Sequence, residues 1–181
     1  MNKKTLACIS IFMLSGAAHA QPGSTTNLGP AQGDKEFSLS GTGSGDRNFD
    51  SASFGVSGDY GWYTGPRTSV GLRQSVNYAS IENASITNDF WNGSTRLYGN
   101  YHFGTTALRP FIGGSIGGIY GDGVNSSAFA GLELGAKYYV LSKTFLLARA
   151  EYQWFFDRGS DINNSFDQGA WAYTVGIGYN F

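Results

Sequence analysis

Cysteine is all but missing from this chain: the only one is Cys8, inside an amino-terminal apolar stretch. Without a later cysteine there is no disulfide framework and no thiolate metal site, so packing and hydrogen bonding must hold the fold. Histidine is nearly as scarce, and beyond position 20 only His102 remains, which excludes a histidine-built metal centre. The residues call for no metal and no cofactor. Proline is rare, with 4 in 181 residues, against 27 glycines. After the amino terminus no run approaches the roughly eighteen consecutive apolar residues of a membrane helix, and mean hydropathy is −0.22. An excess of one charge is lacking too: 12 Lys and Arg face 13 Asp and Glu, a net charge of −1. Such a balance gives no overall basic charge to draw nucleic acid, and the acidic outer connections argue against it further.

What is present begins with an address. Lys3 and Lys4 precede an apolar run from Thr5 to Met13, and Ala18, His19 and Ala20 supply a small-x-small cleavage site. This is the pattern of an export signal over residues 1–20, cut after Ala20. The rival, a lipoprotein signal at Leu6, Ala7 and Cys8, leaves no room for an apolar region after Lys4. Residues 21–34, QPGSTTNLGPAQGD, are small and polar without periodicity and predict a flexible periplasmic leader.

From Lys35 onward apolar and polar residues alternate. The closing AWAYTVGIGYNF sets Trp171, Tyr173, Val175, Ile177, Tyr179 and Phe181 against Ala170, Ala172, Thr174, Gly176, Gly178 and Asn180. Similar segments recur near 36–44, 52–63, 69–80, 91–103, 107–120, 128–140 and 145–156, separated by Gly, Asn, Asp, Ser and Thr clusters. One face of each is apolar, with Gln74 the one polar intruder of the third segment, and no charge falls on that face. Asp59, Arg73, Arg96, Glu133, Lys137, Arg149 and Glu151 all share the opposite face. A soluble ligand-carrying barrel would turn these charges outward and pack its many aromatics into too narrow a lumen. The reverse fits: an all-β, eight-stranded antiparallel up-and-down transmembrane β-barrel over 35–181, both termini periplasmic. Aromatics at both ends of the strands predict two interfacial girdles. Tyr60, Trp62, Tyr101, Phe103, Tyr138, Tyr179 and Phe181 form one, and Tyr78, Trp91, Tyr120, Trp154, Phe156, Trp171 and Tyr173 the other.

The segments RPFIGGSIGGIYGDG (109–123), AGLELGAKYYVL (130–141), ARAEYQWFF (148–156) and the closing GIGYNF give the chain a resemblance to the small outer-membrane barrels, the OmpX/Ail-like group and the OmpA membrane domain. The resemblance covers about residues 36–181. It implies insertion by the barrel-assembly machinery, with Tyr179 and Phe181 looking like the terminal recognition signal, and contact with outer-membrane lipid and lipopolysaccharide. Members of the group are variously adhesins, complement-evasion factors, envelope stabilisers and lipid-modifying enzymes, so the activity stays open.

The inward charges predict a hydrogen-bonded plug, with Glu133 pairing Arg149 and Lys137 pairing Glu151 on neighbouring strands. The alternative is a narrow conducting path. Catalysis lacks its parts: His102 is expected as a lumen hydrogen-bonding residue, and Ser115 in GGSIG sits where a nucleophile elbow would need a strand-to-helix turn. The outer connections, near 45–51, 82–90, 121–127 and 157–168, carry Asp46, Asp50, Glu82, Asp89, Asp122, Asp157, Asp161 and Asp167 against Arg47 and Arg158. They disfavour polyanions and suit divalent cations bridging to lipopolysaccharide. Arg67, Arg109 and Lys143 mark the periplasmic turns. The expectation is a monomeric, non-catalytic envelope or surface-interaction protein. The alternatives are an adhesin meeting an unknown surface ligand at its outer loops, a lipid A-modifying enzyme, and a narrow pore.

Overall fold

The computed structural model describes residues 28–46, 52–83, 86–121, 126–156 and 169–181, with side chains for all of these except 44–46, 52–53, 79–83 and 86–90. Among them run eight strands: β1 (Lys35–Asp46), β2 (Ala52–Gly65), β3 (Thr68–Asn83), β4 (Ile86–His102), β5 (Leu108–Gly121), β6 (Ser127–Tyr139), β7 (Thr144–Phe156) and β8 (Gly169–Asn180). Each pairs antiparallel with its neighbours in sequence, and β8 returns to β1 in register from Glu36↔Asn180 to Asp46↔Ala170. The sheet therefore closes and leaves no edge. The shortest strands, 12 residues, exceed the roughly 9–11 that cross a bilayer.

The eight strands fall where the alternation predicts. One connection differs. The expected loop 82–90 is mostly ladder, because β3 and β4 stay paired as far as Asn83↔Ile86 and carry Glu82 and Asp89 on strands. Backbone pairing persists there after the apolar face has given out, and composition alone does not register it. Segments 47–51, 84–85, 122–125 and 157–168, with most of the acids expected in the outer connections, lie outside the described residues, as do residues 1–20, expected as the signal, and 21–27 of the expected leader.

The barrel is inside out relative to a soluble one. Buried polar and charged side chains outnumber buried apolar ones by 21 to 8 among the described residues, while Leu134 is 64% and Val175 69% exposed. The strand period of two turns every second side chain inward. Inward glycines make room for the few large rings: a Cβ at Gly135 would come within 2.5 Å of the Phe111 ring, and one at Gly178 within 2.2 Å of the Phe145 ring. Outward aromatics cluster at both ends. Tyr60 meets Trp62 and Phe181 at one rim, with Tyr101 on Phe103; Tyr78 meets Trp91, and Tyr152 meets Trp154 and Trp171, at the other.

Gln74, the polar intruder, belongs to a closed ring of three hydrogen bonds on the outward face. Its Nε2 donates to the Tyr120 hydroxyl (2.8 Å), its Oε1 accepts from Thr95 Oγ1 (2.5 Å), and Thr95 and Tyr120 lie 2.9 Å apart. Tyr120 reaches the pair by lying over Gly93, where a Cβ would meet its ring at 2.8 Å. Each polar group finds a partner without water, which apolar surroundings demand.

Candidate functional site

The seven inward charges named from the sequence are all buried in the lumen, and the structure ties six of them into one lattice. Arg73, from β3, is its hub. Its Nε donates to Asp59 Oδ2 (3.0 Å) on neighbouring β2, and its Nη1 and Nη2 donate to the two carboxylate oxygens of Glu133 (2.8 and 3.3 Å) on β6, across the barrel. Arg149 Nη1 donates to the same Asp59 oxygen (2.8 Å), and its Nη2 to Thr174 (3.3 Å). Arg96 Nη1 donates to Glu151 Oε2 (2.5 Å), which also lies 3.7 Å from Arg73 Nη1. The guanidinium of Arg73 lies over Tyr98 and that of Arg96 over Phe129. Every ion pair is thus backed by a ring or a second hydrogen bond.

The expected partners are corrected. Glu133 pairs with Arg73 rather than Arg149, and Lys137 with Glu36 rather than Glu151. The register explains why: Arg73 stands directly opposite Arg96, and Glu133 directly opposite Glu151. Like charges on adjacent strands repel, so the arginine pair and the glutamate pair satisfy each other across the lumen. Such pairing depends on side-chain reach over a narrow bore, which no sequence spacing encodes.

Glu36 is the residue that sequence reasoning missed. It is buried, and both carboxylate oxygens accept from Lys137 Nζ (2.7 and 2.6 Å). Tyr63 donates to it at 2.8 Å and Asn180 at 3.2 Å, and Tyr139 donates to Asn180 at 2.8 Å. The signal was available in KEFSLSG, where Phe37 and Leu39 turn outward and put Glu36 in line with Ser38 and Ser40. With Glu36 included, the ion-paired network holds four acids and four bases, and a fifth buried base, Arg109, lies over the Tyr139 ring.

The two residues weighed as catalytic groups, Ser115 and His102, are each buried and hydrogen-bonded. Ser115 donates a short hydrogen bond to Glu151 Oε1, a carboxylate already engaged by Arg96 and Gln153. His102 contacts Ser69 through Nε2 (3.1 Å) and lies between the rings of Tyr63 and Phe111. Ser115 and His102 therefore serve different clusters, and the carboxylate that accepts from Ser115 is itself held by Arg96 and Gln153. No group of three potential metal ligands occurs among the described residues. What the arrangement does chemically is fill and brace: ion pairs this buried hold only as a complete set, since loss of one partner strands another charge.

The sequence matches no protein-family model and no curated protein. The fold does match solved structures. The amino-terminal barrel domain of OprF from Pseudomonas aeruginosa is 21% identical, over 84% of this chain and 100% of that one, with a TM-score of 0.56. The outer-membrane protein OprG from the same organism is 12% identical over 84% and 98%, at 0.63. Ail of Yersinia pestis, in complex with the heparin analogue sucrose octasulfate, is 15% identical over 83% and 99%, at 0.54. This chain has the fold of the small eight-stranded outer-membrane barrels, and at these identities the likeness is one of fold.

Proposed function

We propose that the chain is a monomeric integral protein of a Gram-negative outer membrane, exported with a signal cleaved after Ala20, and that it serves a non-catalytic envelope or surface-interaction role. One observation carries the reading. A barrel with Arg73 and Glu133 each 1% exposed inside it and Leu134 64% exposed outside it is at a free-energy minimum in lipid and at a disadvantage in water. An even strand number brings both termini to the same side, and on this reading that side is the periplasmic one. Insertion then falls to the barrel-assembly machinery, with Tyr179 and Phe181 as its signal, and the outward face meets outer-membrane lipid and lipopolysaccharide.

The lattice favours an occluded lumen over a pore, since a path for ions must break the Arg73–Glu133 and Arg96–Glu151 contacts together. The engagement of Ser115 and His102 in separate clusters favours a structural role over lipid A modification. An adhesin reading keeps its place in the outer loops. Ail was crystallised with a heparin analogue, but the outer connections here, with the strand ends that lead into them, carry eight acids and two bases, so a polyanion is a poor fit and a cationic or neutral surface ligand the better one.

The test is mobility in SDS of boiled and unboiled outer-membrane fractions, with protease shaving of whole cells. A faster unboiled band, cut only at the outer connections, supports the reading. Full solubility with no mobility shift refutes it.

A further inference from the structure

The last seven residues of the segment expected to be a leader without fold, 28–34, follow a defined course across the periplasmic mouth. At one end they join the closing seam. Lys35 and Phe181 exchange backbone hydrogen bonds of 2.8 and 2.9 Å, Tyr63 N donates to Asp34 O (2.9 Å), and Gly33 N to Tyr63 O (2.8 Å). The far end is fixed to the opposite wall. Gly29 N donates to Ser142 O (2.9 Å) in the β6–β7 turn, Arg109 Nη2 makes a short hydrogen bond to Leu28 O, and Leu28 packs on the buried cluster of Phe111, Tyr139, Phe145 and Leu147. Gly29 has φ +92°, a conformation that favours glycine, and a Cβ there would lie 2.4 Å from Arg109 Cζ and oblige the guanidinium to shift off Leu28 O.

A barrel made from one chain closes only where its first strand meets its last. The β1–β8 ladder carries that closure here, and residues 28–34 add a second tie in parallel. They are continuous with β1, yet they dock on β5–β7 and on a turn whose Lys143 O accepts from Asn180 N of β8 (2.8 Å). If β1 moves away from β8, it must pull Leu28 off the aromatic cluster. While the seam is open, tether and docking site lie on separated walls. We propose that residues 28–34 are a clasp that docks after the barrel has closed and slows its reopening. A contact absent from the folding transition state and present in the native state raises the barrier to unfolding and leaves the folding rate almost unchanged. The proposal rests on the closed fold alone and stands whichever surface role the protein has.

The experiment compares wild type with Leu28→Ser, Gly29→Val and Arg109→Gln. Unfolding is read as decay of the fast-migrating band in urea, and folding as its appearance on dilution into detergent micelles. The expected result is unfolding about tenfold faster or more, with folding within about twofold of wild type. Unfolding within twofold of wild type in all three variants overturns the clasp, and folding slowed as much as unfolding is quickened overturns docking after closure. Leu28→Cys in a Cys8→Ser background tests the contact where the other variants fold poorly. Leu28 is partly buried, so maleimide should react more slowly in the folded barrel than in the urea-unfolded chain, and reaction at the unfolded-chain rate refutes docking.

Discussion

Arg73 and Glu133 meet across the lumen, Nη1 to Oε2 at 2.8 Å, with side chains 1% and 0% exposed. They come from β3 and β6, with no shared ladder, so this contact braces two walls that the sheet does not connect directly. Replacing Arg73 with Leu strands Glu133 and weakens the hold on Asp59, and should cost about 3–5 kcal/mol. The pair Arg73→Leu with Glu133→Leu should be less harmful than the two single effects summed, because neither charge is then left alone. Urea titration of the folded band in lipid vesicles measures both. Strict additivity would show that the two residues do not sense each other.

How much of this was legible follows from which residues set it. Strand number and facing came from alternation, because one polar residue on a lipid face is costly and the pattern is correspondingly strict. The seven inward charges came from the same parity. Their partners did not, because Lys137 reaches Glu36, 101 positions earlier in the chain, by crossing a lumen whose width is set by strand number and tilt. Residues 28–34 were obscured for another reason: Gly29, Pro30 and Gly33 look like a linker, and only the finished mouth shows that two of them are glycines at positive φ.

Gln74 tests whether a polar group can be neutral in lipid. Tyr120→Phe removes the hydroxyl that accepts from Gln74 Nε2 and leaves an amide hydrogen unpaired, at a cost of about 1–2 kcal/mol. Gln74→Leu deletes the intruder while Thr95 and Tyr120 keep each other, and should be neutral or stabilising. Unfolding midpoints in phosphatidylcholine vesicles separate the two. If Gln74→Leu proves the more damaging, the ring is doing something other than satisfying its own members.

Leu134 and Gly135 are adjacent and face opposite environments, so they report on the two faces of one strand. Leu134→Arg places a charge against lipid near the middle of β6 and should destabilise by about 2–4 kcal/mol. Gly135→Ala adds one methyl group, yet it would meet Ala148 O and the Phe111 ring at 2.5 Å, so it should be resisted by crowding in any solvent. In detergent micelles of shorter chain length the Leu134→Arg penalty should shrink and the Gly135→Ala penalty should persist. Equal response to the change of amphiphile would mean that the two sites do not lie on opposite faces.

Phe181 has two roles that one substitution would confuse. Its backbone closes the ladder against Lys35, and its ring stacks on Tyr179 and leans on Tyr60, so its loss could act through stability or through recognition by the assembly machinery. Phe181→Ala keeps the backbone pair and removes only the ring contacts. In purified form it should still fold into detergent, with a loss of about 1 kcal/mol from the aromatic contacts. In cells, if the ring is the recognition signal, the same variant should accumulate unfolded in the periplasm, far beyond what so small a loss explains. Failure in both settings points to stability, and normal surface levels in cells remove the signal role from Phe181.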